Sequence, residues 1–190
     1  LDWGIEEEKI VEVGAPQYAE WNKDRFQNSR RKMIKDFSVP ANNKIIFLAT
    51  QPFHTNERPD FLGTYLTPQF IEKSLLCMNK ILSVYHDTYV IIKLHPGEKN
   101  AWFTHQTINT FEKNVQNRIH IVQNYEVPTL IGGSDVVLTF GSTLYYECLL
   151  LGKKVFIFDE PEKRHFKFMS PDFLNLDAPS EASKIIYEAL

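Results

Sequence analysis

Two hydroxyl side chains beside a glycine, Gly141-Ser142-Thr143, precede an acidic residue, Glu147, within a single short stretch. That combination suits a phosphorylated ribose. The glycine lets a ligand approach the backbone closely, hydroxyl and N–H groups donate to phosphate oxygens, and a carboxylate accepts hydrogen bonds from ribose hydroxyls. His95, in the turn-forming run His95-Pro96-Gly97-Glu98, can meet a phosphate as its imidazolium. Thr50-Gln51 and Gln123-Asn124-Tyr125 supply further hydrogen-bonding groups, the second set suited through Tyr125 to a nucleobase. Taken singly, each of these signals is weak. A lone histidine is more often structural, and a Gly-Ser-Thr turn occurs in many α/β domains.

Their shared position along the chain makes them more informative together. Each follows a short apolar run of strand type: 44–49 before Thr50, 89–94 before His95, 118–122 before Tyr125, and 135–140 before Gly141. Runs this uniformly apolar read as parallel strands buried on both faces, and open parallel sheets place their ligands at the carboxyl ends of the strands. Between 135–140 and a further strand at 155–158 a helix is expected, with Ser142 as its N-cap and Gly152 in the left-handed position after its end. That brings unpaired N–H groups and the positive end of a helix dipole to the same edge. Other helices are expected over 67–84, with Thr67 as N-cap before Pro68, over 101–115, over 126–131 before Gly132-Gly133, and over 181–190 with Ser180 as cap. A last short strand is expected at 172–176. The connection at 52–65 is long for an α/β fold and suggests a working loop, whereas the charged run 159–165 reads as solvated, with closure over a ligand as the alternative. These elements predict a doubly wound, Rossmann-like α/β fold with a largely parallel sheet of roughly six strands.

The chain has 190 residues, 43% of them hydrophobic, enough for one well-filled domain. Residues 1–40 read as a connector with packing helices, and 41–190 as the binding domain. Within the first part, Arg30-Arg31-Lys32 and Lys35 form a basic cluster, read as a solvated helix face, with contact to an anionic membrane surface or an acidic polymer as the alternative. Twenty-one basic against 24 acidic residues give a formal charge of −3, which argues against a nucleic-acid partner and for a small molecule. Cys77 and Cys148 lie in apolar patterns without metal-ligand spacing, so reduced, packed thiols in a cytoplasmic protein are expected, with no metal or cofactor. No apolar run approaches the ~20 residues that span a bilayer. Leu1 in place of an initiating Met suggests an excised domain with a missing upstream part.

The run Lys93-Leu94-His95-Pro96, followed by GSTLYYECLLLGK at 141–153, resembles the nucleotide-binding C-terminal half of a GT-B glycosyltransferase. The pattern is most similar to bacterial capsule and teichoic-acid enzymes: polysialyltransferases, Kdo-adding capsule enzymes and CDP-glycerol glycerophosphotransferases. KIVEVGAPQY near the start is similar to the segment joining the two halves in UDP-N-acetylglucosamine 2-epimerases, and ATQPF at 49–53 fits the same group. The resemblance runs from Ile10 onward. It implies a nucleotide-activated sugar donor held through its phosphates by His95, Ser142 and Thr143 and through its ribose by Glu147, with no metal called for. It also implies a glycan acceptor and its acid or base in an absent N-terminal domain, at the cytoplasmic face of the membrane or free in the cytoplasm. Several relatives carry Ser-Ser where this chain has Ser142-Thr143. A nucleotide-sugar 2-epimerase and a non-catalytic binding domain of the same fold are the alternatives.

Overall fold

The computed structural model describes residues 26–51, 68–97, 105, 107, 109–140, 142–159 and 173–190. In chain order these form α1 (Ser29–Asp36), β1 (Lys44–Ala49), α2 (Pro68–Val84), β2 (Thr88–Lys93), β3 (Ile119–Val122), α3 (Val127–Gly133), β4 (Val136–Thr139), α4 (Leu144–Leu150), β5 (Lys154–Asp159), β6 (Phe173–Asn175) and α5 (Pro179–Glu188). The six strands make one sheet in the order β3-β2-β1-β4-β5-β6, every neighbouring pair parallel. The expected doubly wound, Rossmann-like α/β architecture is therefore the observed one.

Strand alternation distributes the apolar runs between two layers. Ile46, Leu48, Val90, Ile92, Val136 and Leu138 face Leu75, Met78, Ile81 and Leu82 of α2 and Ile186 of α5. Ile45, Phe47, Ile91, Val137, Val155 and Ile157 face Met33 of α1, Leu130 and Ile131 of α3, and Leu144 and Cys148 of α4. Successive side chains point to opposite faces, so a strand covered on both sides must be apolar throughout. Both cysteines are buried, and burial pushes the Cys77 thiol up to about 11 and the Cys148 thiol higher still.

Several local expectations shift, each for a visible reason. The helix expected to stop before Gly132-Gly133 runs through Gly133. These glycines let α1 approach: a Cβ on Gly132 would lie 2.9 Å from Phe26 Cβ, and one on Gly133 would lie 2.2 Å from Met33 Sδ and 3.0 Å from the Ser29 carbonyl oxygen. Arg30, read as part of a solvated basic face, is instead an anchor. It donates to Asp135 Oδ2 at 2.8 Å, to the Gly133 carbonyl at 2.9 Å and to the Asn43 carbonyl. The same Asp135 oxygen accepts the Ile45 N–H at 2.7 Å, joining α1 to the amino ends of β1 and β4. Arg118 precedes β3 rather than opening it, because its guanidinium turns in to the carbonyls of Leu82, Tyr85 (2.9 Å) and Thr88 (3.0 Å).

The helix expected over 101–115 is helical at 105, 107, 109 and 110 and has left that state by Phe111. There the Glu112 N–H donates to Asn79 Oδ1 and the Gln116 side chain donates to the Phe111 carbonyl, drawing backbone groups away from a helix ladder. Helix α5 begins at Pro179 after Ala178, so Ser180 is not its cap; its hydroxyl accepts from Lys80 Nζ at 2.6 Å. Gly152 does take the left-handed conformation, φ 63°. Its N–H donates to the Leu149 carbonyl and that of Lys153 to the Cys148 carbonyl, the paired bonds that close a helix C-terminus. Thr67 and the loops at 52–65 and 160–165 lie outside the described residues.

Candidate functional site

In this strand order the chain leaves β1 toward β2 on one side and later returns to β4 on the other, so the loops after β1 and β4 part company at the centre of the carboxyl edge. A cleft of about 330 Å³ opens there. Strand β1 contributes Phe47 and Ala49 with Thr50 beyond them, β2 contributes Lys93 followed by Leu94, His95 and Pro96, and Val127 comes from the start of α3. The turn into α4 adds Ser142 and Thr143, and α4 itself adds Leu144 and Glu147. The volume lies within the range of small-ligand sites, and the walls are mainly apolar with a few convergent polar groups, as such sites require.

Five expected site residues thus come together: Thr50, His95, Ser142, Thr143 and Glu147. Their local bonds define what each can do. Thr50 is buried, and its Oγ1 accepts the His95 N–H at 3.0 Å, fixing the start of the histidine turn against the end of β1. His95 Nδ1 accepts the Gly97 N–H at 2.9 Å. With Nδ1 accepting that bond, Nε2 is the ring nitrogen that can donate to a ligand. Ser142 Oγ accepts the Leu144 N–H at 3.3 Å, while Thr143 is the residue flanking the helix and its side chain makes no cap bond. The expected capping oxygen is therefore present, one residue outside the helix boundary position. Glu147, half-buried, sits in the first turn of α4. Since α4 spans seven residues, its dipole is a lesser source of positive potential than expected.

Three expected residues remain. Gly141 lies outside the described residues. Gln51 follows Thr50 but does not line the cleft. Tyr125, expected at a nucleobase, is turned toward α1: its hydroxyl donates to Asp36 Oδ2 at 2.9 Å and meets Lys32 Nζ at 3.2 Å, and its ring packs on Phe37 with centroids 5.1 Å apart. Desolvation, then the Asp36 bond, raise its pKa above the usual phenol value. Nothing in the run Gln123-Asn124-Tyr125 indicates this, because the partners lie about ninety residues away.

One cleft residue escaped the sequence reading. Lys93 ends β2, is 8% exposed, and donates through Nζ to the Gln123 carbonyl at 3.0 Å and more weakly to that of Leu94 at 3.4 Å. Burial lowers its pKa from the ordinary lysine value. The available signal was a single charge inside an otherwise apolar strand, at the end where ligands bind. Among the described residues no cluster of His, Cys, Asp and Glu could hold a metal ion, and no helix is long and apolar enough to cross a membrane.

Residues 76–162 match a family model described as capsule polysaccharide biosynthesis protein. That segment runs from α2 to just beyond β5 and includes Lys93, His95, Ser142, Thr143 and Glu147. No curated protein is significantly similar in sequence. Among solved structures, a variant of the wall teichoic acid polymerase TagF soaked with CDPG superposes with a TM-score of 0.60 at 15% identity, over 96% of this chain and 41% of that one. The S. aureus MnaA–UDP co-structure gives 0.56 at 13% identity, over 82% and 39%. A UDP-GlcNAc 2-epimerase from Neisseria meningitidis bound to UDP-GlcNAc gives 0.52 at 17%, over 87% and 50%. The chain thus spans between about two fifths and half of the length of these proteins. At such identities the likeness is one of fold: a Rossmann-like unit corresponding to one half of a GT-B protein.

Proposed function

We propose that the cleft binds the nucleotide part of an activated sugar, or sugar-like, donor, and that the chain serves as the donor domain of a cytoplasmic glycosyltransferase building a surface polysaccharide. The observation that carries this reading is the convergence of Thr50, His95, Ser142, Thr143 and Glu147 from three separate strand ends onto one cleft at the switch point of a parallel sheet. The capsule family match over the same segment, and the nucleotide ligands named for the TagF and epimerase structures, support it.

The chemistry follows from the charge that develops. Breaking a sugar–phosphate bond leaves a nucleotide with additional negative charge, which the site must stabilise with preset donors. In this reading the Ser142 and Thr143 hydroxyls and the Nε2–H of His95 donate to the phosphates, and Thr50 holds the His95 backbone in position. Glu147 accepts the ribose hydroxyls. The acid or base that acts on a glycan acceptor belongs to a facing domain, as in two-walled clefts that exclude water and align both substrates. Arg30 is engaged by Asp135 and Lys32 by Asp36 and Tyr125, so the cluster at 30–35 offers a membrane surface Arg31 and Lys35.

The likeness to the epimerase structures favours a second reading, in which the same cleft holds a UDP-sugar for epimerisation. One panel distinguishes the two. A ligand at 100 times its Kd stabilises the folded state by about 2.7 kcal/mol, which for a chain of this length is roughly 5–11 °C in Tm. A shift with CDP-, CMP- or UDP-linked donors supports the cleft. Conversion of UDP-GlcNAc by the chain would favour the epimerase, and no shift with any nucleotide would reject both.

A further inference from the structure

Lys93 is the cleft's unexplained group. Its neighbours on either side of the sheet interior are apolar, and its register partner on β1 is Ala49, whose small side chain leaves open the space beside it. An ammonium group has three N–H donors. Here two carbonyl oxygens accept, one at 3.0 Å and one at a long 3.4 Å, and both acceptors are neutral. Three other lysines of the described residues meet carboxylates, Lys32 with Asp36, Lys73 with Asp177 and Lys184 with Glu188, whereas Lys80 meets the Ser180 hydroxyl and Lys153 the Ser134 carbonyl, both away from the cleft. Lys93 has no carboxylate partner among the described residues, and burial lowers its pKa. A buried charge without a counter-charge is costly, and a fold that retains one at a ligand cleft has the ligand to supply the opposite sign.

We propose that Lys93 is the anion-recognising charge of the cleft and that it contacts a phosphate or diphosphate group of the ligand. This deepens the nucleotide reading and rests on it for the identity of the rest of the ligand. The Gln123 carbonyl, held by the loop after β3, orients the ammonium, so that the end of β3 acts on the site through Lys93 although Tyr125 faces away. Lysine acts here as a point charge rather than a fork, so it recognises the charge of the phosphate without selecting the base or the sugar. The Ser142 and Thr143 hydroxyls then complete the coordination of the same group from the opposite wall.

The test compares the wild-type chain with Lys93→Met, which keeps the length of the side chain and removes its charge, and with Lys93→Arg, which restores charge if the Met variant does not fold. Each is titrated by calorimetry with UDP, CDP, inorganic pyrophosphate, and the uncharged nucleosides uridine and cytidine. The expected result is a loss of tenfold or more in affinity for the diphosphates and pyrophosphate in Lys93→Met, a smaller loss in Lys93→Arg, and no change for the nucleosides. Equal nucleotide affinity in wild type and Lys93→Met would overturn the role of Lys93 and leave the nucleotide cleft standing. An equal loss for nucleosides and diphosphates would also overturn it, by showing that Lys93 only shapes the cleft. Binding of pyrophosphate by the wild type but not by Lys93→Met, with no binding of any nucleotide, would support the anion site and reject the nucleotide reading. No binding of pyrophosphate or nucleotide by the wild type would reject both.

Discussion

Gly133→Ala isolates the packing that seats α1 on the domain. An added Cβ would lie 2.2 Å from Met33 Sδ and 3.0 Å from the Ser29 carbonyl oxygen. Met33 is a flexible side chain, but it is fully buried. The Ser29 carbonyl belongs to the backbone of α1, so relief requires the helix to move. That movement is resisted by Arg30, whose bonds to Asp135, Gly133 and Asn43 hold α1 at the amino end of the sheet. Overpacking of this kind costs typically 1–3 kcal/mol. Against it, alanine gains about 1 kcal/mol of helix propensity over glycine within α3. The net expectation is a loss of up to about 2 kcal/mol, or up to roughly 8 °C in Tm for a chain of this size. Thermal denaturation followed by circular dichroism measures it, with Gly132→Ala, which meets Phe26 Cβ and Ser29 Oγ at 2.9 Å, as a parallel case. A Gly133→Ala variant at least as stable as the parent would refute the close seating of α1 on α3.

Glu147→Gln keeps the shape of the side chain and removes its charge, and should weaken nucleotide binding by roughly 1–3 kcal/mol with the melting temperature unchanged; equal affinities in calorimetry would remove the ribose role. Thr139 is fully buried and its hydroxyl has no hydrogen-bond partner among the described residues, so Thr139→Val should raise stability by about 1 kcal/mol, and a lower Tm would show that the hydroxyl is satisfied. His120 packs between Phe37 and Tyr89, its Nε2 is buried without a partner among the described residues, and burial holds its pKa below 6.5. The unfolded chain therefore takes up a proton more readily than the folded one, so His120 contributes full stability above about pH 6.5 and loses it as pH falls through its depressed folded pKa. Urea denaturation between pH 5 and 8 should show that slope, and His120→Phe should flatten it. Cys77 and Cys148, buried and with raised pKa values, should react with a thiol reagent only as the chain unfolds; rapid native labelling would contradict their burial.

Much of the architecture was legible in consecutive residues. Stretches such as Lys44–Ala49 and Thr88–Lys93 are apolar along their length because both faces of a parallel strand are covered, and that condition is written locally. Gly152 marks the end of α4 because a left-handed residue is needed there whatever the surroundings. The convergence of Thr50, His95, Ser142, Thr143 and Glu147 could be expected from the same logic, since each follows a strand and all strands of a parallel sheet end at one edge. Tertiary structure decided the rest through contacts between distant segments. It turned Tyr125 to Asp36, set Arg30 against Asp135, 105 residues away, and carried α3 through two glycines so that α1 could lie against them. It also left Lys93 buried beside Ala49 without a carboxylate, because whether a lysine within a strand finds solvent, a counter-charge or a cleft depends on neighbouring strands and helices that its own segment does not specify.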